Sequence, residues 1–370
     1  MDFDFSDDQE QLRDAVKRWV DKAYTFDFRK GVTKAGGYSA DAYAQLAELG
    51  LCGLTVPEVY GGMAMGPVEA MVVMEELGKG IVLEPLAQSL MVSQALSFAP
   101  EALQAQWMPH VATGDALVVM ATNERKARYH LDICEAVAHA KGDQWQVSGR
   151  KTLVTAGAHA SAFVVSAKVN GRIALFVVPK DQASVTVGAY VTQDGAASAD
   201  VQLDNAQAQL VTLDGLAALE AATDVGIAAL CAEGVGAMDR LMDITVEYLN
   251  TRKQFGVVIS SFQALRHRVA DMKMQLELAR SMSYYATLKL GAPADERRAA
   301  MARAKYQLGV SMRFISQQAV QLHGGIAMTD EYIASHYFKR LTQMEMTLGD
   351  TLHHLGEVSD RMQDTAGVFA

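Results

Sequence analysis

The sequence predicts a mainly α protein with a central antiparallel β domain, and three changes of pattern predict it. Residues 1–112 carry apolar side chains at helical spacing. Residues 113–214 turn to short runs rich in β-branched residues, split by turn signals. From 215 to 370 the helical period returns in long segments with short connections, the pattern of an antiparallel four-helix bundle. The expected order is therefore a helical domain (1–112), a β barrel or sandwich (113–214) and a helical bundle (215–370).

In the first segment, Ser6 and Gln9 form a capping box that opens a helix, with Leu12, Val16, Trp19 and Val20 on one face. "SADAYAQLAELGLCGL" reads as a second helix ended by Gly50, followed by the Pro- and Gly-rich loop "TVPEVYGGMAMG". "PVEAMVVMEELGKG" is a third helix with Gly78 and Gly80 near its stop. In the middle segment, "ALVVMAT", "WQVSGRKTLVTA", "SAFVVSAKV", "RIALFVVPK" and "ADVQLD" predict five to seven strands, and Asn170-Gly171 predicts a hairpin turn. In the last segment, helices are expected through "AATDVGIAALCAEGVGAMDRLMDITVEYLNTRKQF", from Ser260 or Ser261 onward, and over about 296–322, ending at Gly324-Gly325. Two shorter helices, in "TDEYIASHYFKRLTQMEMTL" and "LHHLGEVSDRM", complete the bundle.

Composition narrows the function. Half the residues are hydrophobic and 21% are charged, ordinary values for a globular protein. A net charge of −10 argues against a nucleic-acid surface, but leaves room for a phosphate-bearing cofactor held by a few arginines. No membrane span is expected, since Glu233 interrupts "VGIAALCAEGVGAM". The acidic start lacks the pattern of a signal peptide. Cys52, Cys134 and Cys231 have no motif spacing, so neither a disulfide framework nor a metal site is expected. The reading is a cytoplasmic protein.

Five phrases then converge: "LAELGLCGLTVPEVYGG", "WQVSGRKTLVTAGAHASAFVV", "TRKQFG", "FQALRHRVADM" and "AVQLHGGIAM". In this order, and over nearly the whole chain, they resemble the acyl-CoA dehydrogenases. The resemblance implies bound FAD, an acyl-CoA substrate, and α,β-desaturation with hydride transfer to flavin N5. It also implies an electron-accepting flavoprotein and a dimer or dimer of dimers sharing flavin sites. On its terms Arg252 neutralises the FAD pyrophosphate, Phe255 packs near the adenosine part, and Gln263 lies on the adenine side. Gln321, Gly324 and Gly325 approach the pyrophosphate, Thr122 and Thr155 hold the flavin ring, and Thr351 matches a family threonine at the cofactor. Asp224 matches an aspartate near the CoA ester. Seen alone, these are a solvated arginine, a core phenylalanine, a glycine helix stop, strand threonines and a helix aspartate. Two departures stand out: "TNERKARYH" replaces the family's usual Thr-Glu-Pro-x-Ala-Gly-Ser-Asp run, and Leu153 replaces the aromatic that covers the flavin face.

Desaturation needs a carboxylate to take the Cα proton. The resemblance puts that glutamate at one of two positions, and here they hold Gly349 and Gly226. Asp350, one residue late, is the candidate base, with helix capping as its alternative role. Glu233 is a second acid, either shifted by burial or satisfied at a helix contact. His323, His353 and His354 either meet the cofactor or are ordinary surface or interface histidines. Missing both glutamates, the chain resembles one member of the paired-subunit acyl-CoA dehydrogenases that act on steroid or dicarboxylic esters. The alternatives are a non-catalytic partner that contributes FAD and interface contacts, and a related flavin oxidase or monooxygenase.

Overall fold

The computed structural model describes residues 5–142 and 144–365. In chain order the helices begin with α1 (Asp7–Ala23), α2 (Phe26–Lys34), α3 (Ala40–Glu48), α4 (Pro67–Lys79), α5 (Leu86–Leu96) and α6 (Glu101–Ala112). Seven strands follow: β1 (Val118–Ala121), β2 (Val137–Lys141), β3 (Gln144–Thr155), β4 (Ala162–Val169), β5 (Arg172–Pro179), β6 (Val185–Val191) and β7 (Ala197–Thr212). Then come α7 (Gly215–Thr251), the two-residue strands β8 (Lys253–Gln254) and β9 (Val257–Val258), and four helices. These are α8 (Gln263–Lys289), α9 (Ala294–His323), α10 (Ile333–Met346) and α11 (Thr351–Thr365). The helical–β–helical order is the expected one. The elements gather into two compact units, and the first 112 residues contribute to both.

One unit joins residues 1–26 and 71–82 to 227–370. Its core follows helical periodicity directly: Met301, Ala304, Leu308, Met312, Ile315 and Ala319 of α9 recur every three or four residues and are buried. Leu276 of α8, Leu241 of α7 and Leu341 of α10 fill the same core. Helix α4 is buried from Met71 through Gly78, because it crosses α7 backbone to backbone. A Cβ on Gly78 would stand 2.0 Å from the Glu233 carbonyl oxygen, and one on Gly236 1.8 Å from that of Glu75. Only glycine fits either position. Helix α7 is long and apolar enough to cross a membrane by length and composition alone, but 78% of its most apolar window is buried. Its apolar face belongs to the core, and Glu233 is tolerated there because Arg340 pairs with it at 2.5 Å.

The other unit comprises residues 27–70 and 83–226. Strands β4, β2, β3, β7 and β5 close into a ring through the β4–β5 pairing, with β1 beside β4 and β6 beside β7. This is the barrel form. The Asn170-Gly171 turn joins β4 to β5, both residues at positive φ (50° and 82°), as a two-residue hairpin turn requires. The sheet is not wholly antiparallel. β1 runs parallel to β4, from Val118 opposite Ala162 to Ala121 opposite Val165. Helix α5 braces β1 through the Gln88 side chain, which accepts the Met120 N–H at 2.8 Å.

Candidate active site

The residues singled out above divide between the two units. In the barrel unit, Thr122 follows β1 and Thr155 ends β3 opposite Ser198, both half-buried. The loop leaving Thr122 is anchored from below. Glu124 accepts from Lys151 Nζ at 2.6 Å and from the N–H of Ala136 at 3.1 Å, and Lys151 also donates to Ser166 Oγ at 3.0 Å. Burial alone would raise the Glu124 pKa, but Lys151 and the backbone donors hold it below the usual carboxylate range. In "TNERKARYH", then, a buried ion pair organises the loop. Leu153 lies in a break of the β3–β7 register at φ +54°, with 56% of its surface exposed.

In the bundle unit, Arg252 leaves the end of α7 exposed, directly before the β8–β9 hairpin. Phe255 and Gly256 form the hairpin tip, both at positive φ (53° and 81°), and Phe255 is 90% exposed. It is not the core phenylalanine of the structural reading. A bulky residue in a left-handed turn with its ring in solvent adds nothing to the core of its own unit. Gln263 opens α8 and Gln321 lies in the last turn of α9, both exposed. Gly324 has φ +66° and ψ −145°, a conformation open essentially to glycine. Gly325 has no such need, and neither glycine has an atom within 4 Å of where a Cβ would stand. The open space above the two glycine backbones and the exposure of Arg252, Gln263 and Gln321 leave these groups accessible to a ligand. His323 is structural. It is buried, its Nδ1 lies 2.8 Å from the Ala319 carbonyl, and its ring packs on Tyr248 and Tyr332; burial lowers its pKa.

The corner between α10 and α11 is closed. Leu348 and Gly349 both have positive φ (57° and 106°). His354 Nε2 donates to the Leu348 carbonyl at 2.9 Å and would lie 2.4 Å from a Cβ on Gly349. Burial, with Lys305 nearby, pushes the His354 pKa down to about 3, so the ring is neutral. Lys305 is fully buried, and its Nζ donates to the carbonyls of Glu345 and Gly349 at 2.8 Å and of Met344 at 3.1 Å. A cation on the last carbonyls of α10 complements the helix end. Burial pulls its pKa down to about 8, against the opposing pull of Cys231, Glu345 and Asp350.

Asp350 accepts the His353 N–H at 2.8 Å and so caps α11, the structural role expected of it. Thr351 is buried, and its hydroxyl donates to Glu345 Oε1 at 2.5 Å, a bond that draws α11 onto α10. Asp224 is fully buried in the first third of α7, with Gly226 buried two residues on. Sequence reasoning missed Lys305, Glu345 and the Glu124–Lys151 pair. The available signal was a lysine on the apolar stripe of α9, four residues after Met301.

Comparison with known proteins gives one answer across the chain. The acyl-CoA dehydrogenase N-terminal, middle and C-terminal domain models match residues 6–115, 116–206 and 214–363. A probable acyl-CoA dehydrogenase of Bacillus subtilis is 27% identical, over 94% of this chain and 96% of that one. The mitochondrial short-chain specific acyl-CoA dehydrogenase of Bos taurus is 26% identical, over 90% and 85%. Among solved structures, a variant of the Tcur3481-Tcur3483 steroid ACAD superposes with a TM-score of 0.90 at 26% identity, covering 97% of this chain and 98% of that one. A glutaryl-coenzyme A dehydrogenase shares the fold with a TM-score of 0.92 at 23% identity, over 98% and 97%. The chain belongs to the acyl-CoA dehydrogenase family, FAD-dependent oxidoreductases acting on the CH–CH group of acyl-CoA thioesters.

Proposed function

We propose that this chain is the base-less member of a hetero-oligomeric acyl-CoA dehydrogenase, active with a paralogous chain that carries the carboxylate. The observation behind this reading is the α10–α11 corner. Position 349 is glycine at φ +106°, and His354 fills the space a side chain would enter. Position 226 is glycine as well. Asp350 is the competing base, and its bond to the His353 N–H is what weighs against it.

Bound FAD supplies the acceptor for the hydride that leaves Cβ. This chain's part is to hold and orient. Arg252 pairs with the pyrophosphate, while Gln321 and the N–H groups of Gly324 and Gly325 bind its oxygens. Gln263 and Phe255 contact the adenosine side, and Thr122 and Thr155 hold the flavin edge through hydroxyl and backbone groups. The Cα proton goes to the partner's carboxylate. A bulky acyl group, a steroid side chain among them, is the substrate class, supported by the likeness to the steroid ACAD. An electron-accepting flavoprotein would be the redox partner that returns the cofactor to its resting state, and the setting is cytoplasmic.

The test is anaerobic flavin bleaching by acyl-CoA, with this chain alone and with a co-purified paralogue. Alone, the rate should be lower by about 10² to 10⁴, the usual cost of a missing general base. Brisk bleaching by the chain alone, abolished by Asp350→Asn, would make Asp350 the base and overturn the proposal.

A further inference from the structure

The β3 bulge is held by a hydrogen-bonded chain that its own strand does not require. Pairing with β7 is interrupted between Lys151 and Val154, and Leu153 occupies the gap in a left-handed conformation. A leucine rarely adopts that conformation, and here its side chain is mostly in solvent, so the barrel core gains little from it. Two bonds keep it there. The Thr152 N–H donates to the Asn123 carbonyl at 2.9 Å, tying the bulge to the residue after Thr122. The Leu153 N–H donates to the Tyr190 hydroxyl at 3.2 Å. Tyr190 in turn donates to Asp200 Oδ1 at 3.3 Å, and Asp200 Oδ2 accepts from Arg150 at 2.7 Å. Tyr190 of β6 and Thr155 of β3 are both in register with Ser198, on the two edges of β7. The hydroxyl thus reaches across β7 to fix a backbone amide two residues before Thr155.

We propose that Tyr190 is a positioning residue: it holds Leu153 in its left-handed turn and so aims Leu153 and the Thr155 hydroxyl at the flavin. Asp200, oriented by Arg150, fixes the direction of the Tyr190 hydroxyl. This rests on the reading above in which Thr155 meets the flavin ring. Strained bulges that re-aim a side chain are a common device beside active sites.

The experiment compares the wild type with Tyr190→Phe and Asp200→Asn, each alone and with the paralogous chain. The readouts are FAD titration, the flavin absorbance and fluorescence spectra, amide hydrogen exchange at Leu153, and Tm. Tyr190→Phe should lose protection at Leu153, weaken FAD binding about threefold to tenfold, and shift the flavin spectrum, with the Tm of the FAD-free protein unchanged. Asp200→Asn should give a smaller change in the same direction. Lost protection with an unchanged spectrum and affinity overturns the positioning role. A fall in the Tm of the FAD-free protein that accounts for the lost FAD overturns it in favour of simple stabilisation. A wild type that takes up no FAD in either setting refutes the flavin assignment itself, and this inference with it.

Discussion

His354 stands where a side chain on Gly349 would begin: its Nε2 is 2.4 Å from the position of that Cβ. The imidazole is held there by its bond to the Leu348 carbonyl, and burial keeps it neutral. Gly349→Ala should therefore destabilise the fold by about 2–4 kcal/mol, combining a crowded contact with an unfavourable φ. Denaturant unfolding measures it. Gly349→Glu should meet the same obstacle and leave the isolated chain without desaturase activity. A stable, active Gly349→Glu protein would show that the corner is merely vacant.

Arg252 is exposed, and the fold does not depend on it. Arg252→Ala should change stability by no more than about 0.5 kcal/mol. FAD retention should fall about tenfold or more, since a bond to a charged phosphate is lost. Unchanged flavin content after purification removes Arg252 from the cofactor site.

The Glu124–Lys151 pair is buried at both ends. Lys151→Met leaves a carboxylate without its counter-charge and should cost about 3–5 kcal/mol. Glu124→Gln/Lys151→Met should recover part of that loss. The Glu124 pKa is lowered by folding, so its contribution is present above the unfolded carboxylate range and lost as pH falls through the folded value. Acid titration of stability should be shallower in the double variant, and parallel acid curves would contradict the coupling.

Lys305 gives an alkaline signature. Folding lowers its pKa from 10.5 to about 8. Between those values the unfolded chain keeps the proton that the folded chain has shed, so stability rises with pH over that window. The rise is on the order of 3 kcal/mol. Subtracting the Lys305→Met curve from the wild type isolates it from the tyrosines and cysteines that titrate nearby. A flat difference from pH about 8 upward would mean that Lys305 stays protonated on its three carbonyls.

Local signals were legible and distant pairings were not. The Ser6–Gln9 capping box, the Asn170-Gly171 hairpin and the glycine stop of α9 each act within a few residues, and each appears as read. The parallel β1–β4 pairing joins strands some forty residues apart, and nothing in either strand marks its partner's direction. The β8–β9 hairpin passed unnoticed because its strands are two residues long and its turn begins with phenylalanine rather than asparagine or glycine. At the site, the two glycines at 226 and 349 could be noticed only through the resemblance. That 349 is closed depends on a histidine ring folding back over the turn, which depends on tertiary packing as well as spacing. Thr351 aligned with a family position, but its hydroxyl is committed to Glu345.

The close crossing of α4 on α7 has a consequence for how the chain is made. Residues 71–82 belong to a unit most of whose remaining mass begins at residue 227. During vectorial synthesis, α4 emerges with Met71, Val72, Val73, Met74 and Leu77 before the helix that will cover them exists. The larger part of the barrel unit, residues 83–226, is translated in the interval. A nascent chain stalled near residue 226 should therefore hold α4 open to protease and to hydrophobic dyes, and extension through α9 should close it. The glycines at 78 and 236 let the two backbones meet only once α7 is present, so the apolar face of α4 should stay exposed until its counterpart is made.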